Sequence, residues 1–266
     1  MRITFVVVMW LAFVGAPTQA HHINRGAPVL TAAAFVYRWP LVCDPALPNK
    51  VQFRWIANAG EAVNQREVED RLRAIAEQVN WLFWRDSDSH TEARLPAWAV
   101  TADCKLDILY GDAPIIGSTI PDIGSTKLIE ISPQDDSYYC GWATIREDSR
   151  PGPENENNLP SFATAIRRCL GYHTVAHEFL HSIGAVQMTA PHSDGRFHSR
   201  QLDIMGMRNA DFCGDYSTID CGNDDYFSLT PGDRFTDRWN SADSIFLVSV
   251  PKHLVMAPLH MRCETC

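Results

Sequence analysis

Residues 177–181 read His-Glu-Phe-Leu-His, and this pentapeptide constrains the chain more than any other stretch. On an α-helix, positions i and i+4 lie on one face, so His177 and His181 can offer ring nitrogens to a single ion. Glu178 is rotated by about 100° from His177. Its carboxylate then lies beside the ion as a proton acceptor for water and not as a ligand. The pattern therefore predicts a metal-binding helix on which Glu178 is the catalytic residue.

The residues that follow carry a resemblance to a known clan. Gly184 stands three residues after His181, and residues 203–207 read Asp-Ile-Met-Gly-Met. This arrangement resembles the metzincin zinc endopeptidases, whose signature continues H-E-x-x-H with x-x-G-x-x-H and a methionine turn. The resemblance implies a zincin fold with one catalytic zinc ion. It also implies that Met205 is the turn methionine under the metal and that the substrate is a peptide bond.

A narrower resemblance rests on short stretches around and after the motif, residues 184–187, 190–192, 220–227 and 239–240. These stretches are similar to those of a group of secreted actinobacterial metalloprotease-like proteins. This second resemblance implies an extracellular metalloprotease-like protein and does not indicate its substrate.

The third zinc ligand is where the sequence departs from the metzincin pattern. A catalytic zinc ion needs three protein ligands and one open position, but the expected third position holds Gln187, a poor ligand. Two later histidines can return to the ion if the loop is longer than usual. His198 lies seven residues before the turn methionine, whereas His192 directly follows a proline that restricts its approach. We expect His198 as the third ligand, with His192 as the alternative and Asp194 behind both.

The expected reaction is hydrolysis of a peptide bond without a covalent intermediate. Zinc would polarise the carbonyl and lower the pKa of a coordinated water towards about 7. Glu178 would take the proton from water and deliver it to the leaving amine.

Two other functions are compatible with these residues. One is a secreted binding protein with a degenerate zincin fold, which Gln187 favours. Met207 favours it too, since it stands where some metzincins have a tyrosine that stabilises the oxyanion. The other is a zinc hydrolase of other amides or esters. Glu178 argues for an enzyme, because a decayed site has no chemical need for that carboxylate.

Residues 1–20 predict a secretory signal peptide. Arg2 supplies the positive charge, residues 3–14 are an apolar run, and residues 18–20 offer a small-residue cleavage site. The apolar run is shorter than the roughly 20 residues of a membrane span. We therefore expect a secreted protein that leaves the membrane after cleavage. Its peptidase domain would cover residues 21–266, with an upper lobe to about residue 184 and a lower lobe from 185.

Cysteine content and charge restrict the compartment and the partners. All eight cysteines lie beyond residue 20, which indicates an oxidising compartment and up to four disulfides in a pairing that the sequence does not choose. The formal net charge of −9 argues against a nucleic-acid partner, since phosphate binding requires a basic patch. The expected partner is a peptide or protein substrate, and the oligomeric state is not readable.

Calcium is a second candidate ion. Hard oxygen ligands suit it, and four residues of one short segment offer them, namely Asp220, Asn223, Asp224 and Asp225. The alternative is that these residues make turns and helix caps, which is the commoner use of clustered Asp and Asn.

The coarse secondary-structure pattern predicts an α+β fold. A stripe of apolar residues recurring every three or four positions from Val68 to Leu82 predicts a packing helix. We expect a second helix that begins near Ser161 or a little later, runs through the metal motif with Gly171 as a weak point, and is ended by Gly184. Extended segments are predicted at residues 34–39, 51–56, 98–100, 105–110 and 127–132. The expected architecture is a mixed β-sheet, an active-site helix, and an irregular disulfide-containing C-terminal subdomain.

Overall fold

The structure is a computed structural model that describes residues 38–114, 124–134, 139–211 and 217–252, with the side chains of residues 207–211 not described. The signal peptide predicted at residues 1–20 lies outside these ranges. Most of the extended stretch predicted at residues 34–39 does so as well.

The described part of the chain contains two α-helices and nine β-strands. In chain order the described strands are β1 (Lys50–Ile56), β2 (Glu92–Pro96), β3 (Leu109–Gly111), β4 (Thr126–Ser132), β5 (Gly141–Ala143), β6 (Ser161–Ile166), β7 (Ser199–Gln201), β8 (Gly206–Asp211) and β9 (Leu247–Pro251). The α-helices are α1 (Gln65–Asp86) and α2 (Tyr172–Ser182). The α+β class expected from the sequence is confirmed.

A five-stranded mixed sheet in the order β3-β1-β4-β6-β5 forms the centre of the fold. β1, β3, β4 and β6 run parallel, and β5 runs antiparallel to β6 at one edge. The mixed sheet is therefore as predicted. β2 and β9 pair antiparallel with each other, and β7 and β8 form a short parallel pair.

Alternate residues of a strand point to the same face of a sheet, and on one face of this sheet those residues are apolar. The register aligns Phe53 with Ile129 and Ile129 with Ala163, and all three are buried. Phe53 stacks on Trp98 at a centroid distance of 4.9 Å. Trp98 in turn lies 6.4 Å from Phe179 of α2, so the metal-motif helix packs over this face.

The first helix has the predicted packing stripe, in which Val68, Leu72, Ile75, Val79 and Leu82 are all buried. Its N-terminus is capped by the Asn64 side chain, which accepts a hydrogen bond from Glu67 N. Phe83, near its C-terminus, packs against Phe179 with 5.9 Å between ring centroids. α1 thereby fixes the middle of α2 in the core.

The prediction that the second helix begins near Ser161 or a little later is wrong. Residues 161–166 form β6, whose six residues are all buried between β4 and β5. Backbone pairing of this strand with β4 and β5 outweighs the helical conformation predicted from the local sequence. Gly171, in an extended conformation, then separates the strand region from the helix, which begins at Tyr172.

The end of α2 is as predicted. The helix ends at Ser182, and Gly184 at the C′ position has φ +82°. Glycine adopts this left-handed conformation without steric cost. A Cβ at Gly184 would also lie 2.3 Å from the Asn157 side chain, so both conformation and packing require glycine.

Disulfides are present, as expected from the eight cysteines. Cys43 pairs with Cys104, Cys140 pairs with Cys169, and Cys221 in the C-terminal part is disulfide-bonded as well. Cys140 directly precedes β5 and Cys169 precedes α2, so one bridge ties the sheet edge to the start of the metal-motif helix. Within the described ranges, no helix has the length and apolar character needed to cross a bilayer.

Candidate metal centre

Two histidines of α2 face the same side of the helix, as the i, i+4 spacing predicts. The rings of His177 and His181 are perpendicular, with centroids 4.7 Å apart. Both lie in the last two turns of a helix whose apolar residues are buried in the core. Their separation is thus set by helix geometry and by the packing of one rigid element.

His198 joins this pair from a different part of the chain. Its ring centroid lies 5.0 Å from that of His181 and 5.7 Å from that of His177. One ligand atom from each of the three residues lies within 4.8 Å of the others. Three imidazoles therefore converge, and the histidine favoured from the sequence is the one that completes the set.

Hydrogen bonds on the far side of the rings fix two of the imidazoles. His177 Nδ1 lies 2.6 Å from Ile204 O, and His198 Nδ1 lies 3.0 Å from Arg196 O. A carbonyl only accepts, so each neutral ring carries its proton on Nδ1 and keeps the Nε2 lone pair for an ion.

The protonation of the rings also suits an ion. Burial lowers the pKa of His177 to about 4 and lowers the pKa values of His181 and His198. All three rings are therefore neutral near pH 7, as metal ligation requires. His181 Nδ1 is buried without a hydrogen-bond partner. An orphaned nitrogen among three neutral imidazoles fits a divalent cation.

Glu178 directly follows His177 on α2, and its carboxyl is buried. It is 5% exposed, and its Oε2 has no hydrogen-bond partner. Burial raises the pKa of this carboxyl to about 8, and a nearby cation would favour the ionised form. A free carboxylate oxygen in a dry site can take a proton from water.

Met205 connects the helix to the segment that carries the third histidine. It is fully buried, and its neighbour Ile204 accepts the His177 bond described above. Met205 O accepts Ser199 N at 3.0 Å, directly after His198. The segment predicted as a methionine turn thus touches both sources of imidazole.

Gln187, at the position that the metzincin pattern assigns to the third ligand, is used differently. Its side chain is buried and Nε2 donates to Arg146 O at 3.1 Å and to Gly184 O at 3.2 Å. These bonds join the end of α2 to Arg146, at the start of the polar loop that precedes β6 (residues 146–160). The local role of Gln187 is structural.

His192, the alternative third ligand, is not brought to the helical pair. It forms a separate cluster with Asp224 and Asp225. Asp194 accepts the backbone N–H groups of Arg196 and His198 and so shapes the turn beneath the third imidazole.

Asp220, one of the residues considered for calcium, has a structural role instead. The buried Asp220 carboxylate accepts the backbone N–H groups of Asp225, Tyr226 and Phe227, as a capping residue does. The Tyr226 hydroxyl accepts a hydrogen bond from Asp220 N and is buried. Asp224 and Asp225 remain next to His192.

Sequence reasoning missed Gly141, the first residue of β5. A Cβ at Gly141 would lie 2.6 Å from Glu178 Oε1 and 2.5 Å from Thr164 O. Only glycine allows this close approach of the edge strand to the carboxylate. The glycine stands 37 residues before Glu178, and no local pattern marks it.

Comparison of the chain with known proteins finds no matching family model, no matching curated protein and no matching solved structure.

Proposed function

We propose that this chain is a secreted zinc-dependent endopeptidase of the metzincin type. The observation that supports it most is the convergence of His177, His181 and His198, with ligand atoms within 4.8 Å, beside the buried carboxyl of Glu178. Three neutral imidazoles are a common protein ligand set for a catalytic zinc ion with one open position.

The residues divide the chemistry between them. Zinc, when bound, supplies a Lewis acid that polarises a substrate carbonyl and acidifies water. Glu178 accepts the proton of the attacking water and delivers it to the departing amine nitrogen. The burial of this carboxyl would strengthen its interaction with the positive charge of a bound metal ion.

The edge of the sheet favours a peptide as the substrate. β5 is the last strand of the described sheet, and its first residue lies directly against Glu178. An edge strand offers backbone N–H and C=O groups to an extended chain. A peptide added along β5 would pass beside the catalytic carboxylate, and its backbone would be bound independently of side-chain identity.

The test is zinc content together with casein and peptide hydrolysis for wild type and Glu178→Gln. The expected result is one zinc per chain in both proteins and a loss of turnover of about 10²–10⁴-fold in the variant, the range of general acid–base catalysis. Glu67→Gln on α1, far along the chain from the motif, is the matched control and should keep full activity.

Three results would overturn or redirect the proposal. Turnover that does not depend on Glu178 would contradict the mechanism. Bound zinc without turnover would favour the non-catalytic binding protein. Hydrolysis of small amides or esters alone would favour the other zinc hydrolase.

A further inference from the structure

His198 is carried by a short antiparallel hairpin, residues 192–200. Arg200 N donates to His192 O at 2.7 Å, and Asp194 N donates to His198 O at 2.9 Å. Ser199 faces residue 193 in an isolated antiparallel bridge. These bonds close the hairpin on itself and leave its position relative to α2 to other contacts.

Asp225 holds both strands of this hairpin with one carboxylate. Its Oδ1 accepts His192 N at 2.8 Å and lies 3.0 Å from His192 Nδ1. Its Oδ2 accepts Ser199 Oγ at 3.4 Å, directly after His198. The Asp225 side chain has 0% exposure, so bulk water does not compete for these bonds.

Asp225 is in turn fixed to the core. Its backbone N lies 3.1 Å and 3.2 Å from the two carboxylate oxygens of Asp220. Two residues later, the buried Phe227 meets Phe83 of α1 edge-on at 5.5 Å between ring centroids. Phe83 also packs against Phe179 of α2. A continuous series of contacts therefore runs from the metal-motif helix to the hairpin.

We infer that Asp225 is a positioning residue for the third imidazole of the metal centre, which rests on the proposed role of His198 as a ligand. The carboxylate joins the strand before the hairpin tip to the residue that follows His198. Without it, the hairpin keeps its local turn and the bond from Ser199 N to Met205 O, but it loses its tie to the core through Asp220 and Phe227. The third imidazole is then held less firmly against α2 before an ion binds, and the affinity for the ion falls.

The experiment measures the Zn²⁺ dissociation constant by competition with a chromophoric chelator, for wild type, Asp225→Asn and Asp148→Asn. Residues that orient a ligand from outside the metal shell typically change affinity by about 10–100-fold, and we expect a loss of this size in Asp225→Asn. Asp148 is a buried carboxylate that organises a different loop, so its variant should bind zinc as wild type does. His192→Ala removes the ring contacts with Asp225 and Gln201 and keeps the backbone bond from His192 N to Asp225, and it replaces Asp225→Asn if that variant does not fold.

A double-mutant cycle separates positioning from general destabilisation. Because Asp225 acts through His198, Asp225→Asn should cause no further loss of zinc affinity in a His198→Ala background. An equal loss in both backgrounds, or unchanged affinity in the single variant, would overturn the inference. So would a second equivalent of zinc or calcium that Asp225→Asn removes, because the carboxylate would then serve an ion with His192 and Asp224.

The failure of this inference is distinguishable from failure of the proposed function. Zinc binding that depends on His198 but not on Asp225 contradicts only the positioning role. A wild-type protein that binds no zinc contradicts both.

Discussion

The helix α2 and the hairpin at residues 192–200 bring imidazoles to the same place by different means. His177 and His181 are held by helix geometry and by a rigid element packed between the sheet and α1. His198 is held on a short loop by hydrogen bonds, some of them from Asp194 and Asp225. Spacing along the chain is thus enough to bring together two candidate ligands of one helix. A candidate ligand on a loop depends on residues distant in sequence that fix that loop.

The largest expected effects come from removing a ligand on either side of this comparison. His181→Ala and His198→Ala should each lower the affinity for Zn²⁺ by more than the roughly 100-fold that outer residues cause. Isothermal titration or chelator competition measures this. His90→Ala, an exposed histidine outside the cluster, is the control and should leave the affinity unchanged. Wild-type affinity in His198→Ala would remove the hairpin from the metal centre.

Removal of each of the two described disulfides tests how α2 is held in place. Replacing both cysteines of either bridge by alanine should cost about 4 kcal/mol of unfolding free energy, because the loops of 29 and 61 residues have similar closure entropies. Only the Cys140–Cys169 bridge joins β5 to the start of α2, so only its removal should also raise the KM for peptides. Denaturant unfolding and steady-state kinetics distinguish the effects. Equal changes in KM for the two variants would contradict the role of β5.

A substitution at Gln187 tests whether chain spacing alone can supply the third ligand. In a His198→Ala background, Gln187→His restores the metzincin spacing, but the buried side chain at this position contacts Arg146 O and Gly184 O. We expect no recovery of zinc affinity and a loss of stability of about 1–3 kcal/mol, from backbone acceptors left without their donor. Full recovery of zinc binding would show that the hairpin is dispensable.

The smallest expected effect concerns the polar loop that supports the end of α2. Arg150 and backbone N–H groups hold the pKa of the Asp148 carboxyl at about 2, below its ordinary value of 3.8. A lowered folded-state pKa stabilises the protein above pH 3.8, and this contribution is lost as the pH falls through about 2. Asp148→Asn should thus cost about 1–2 kcal/mol at pH 7. Urea unfolding should show the two proteins converging between about pH 4 and pH 2, and a constant difference would contradict this origin.

Local patterns predicted much of the fold and the helical part of the candidate metal site. Periodicity alone located α1, and the H-E-x-x-H spacing located the pair of histidines on α2. The same approach failed at Ser161, because β6 is a central strand whose conformation is set by pairing with β4 and β5. Propensity does not include such tertiary pairing.

The remaining parts of the site depend on contacts between residues that are distant in sequence. The sequence favoured His198 from loop length, but it contained no sign that Asp225 would hold the hairpin from 27 residues further along. Gly141 is a similar case, since its requirement arises only from the close approach of β5 to Glu178. These relations follow from packing, which a single sequence does not display.

Zinc K-edge X-ray absorption on the purified protein loaded with one equivalent of zinc shows whether His177, His181 and His198 hold one zinc ion. We expect three imidazole nitrogens and one further light ligand at about 2.0–2.1 Å, with one imidazole lost in His198→Ala. Two imidazoles in wild type, or a spectrum that His198→Ala leaves unchanged, would contradict this ligand set.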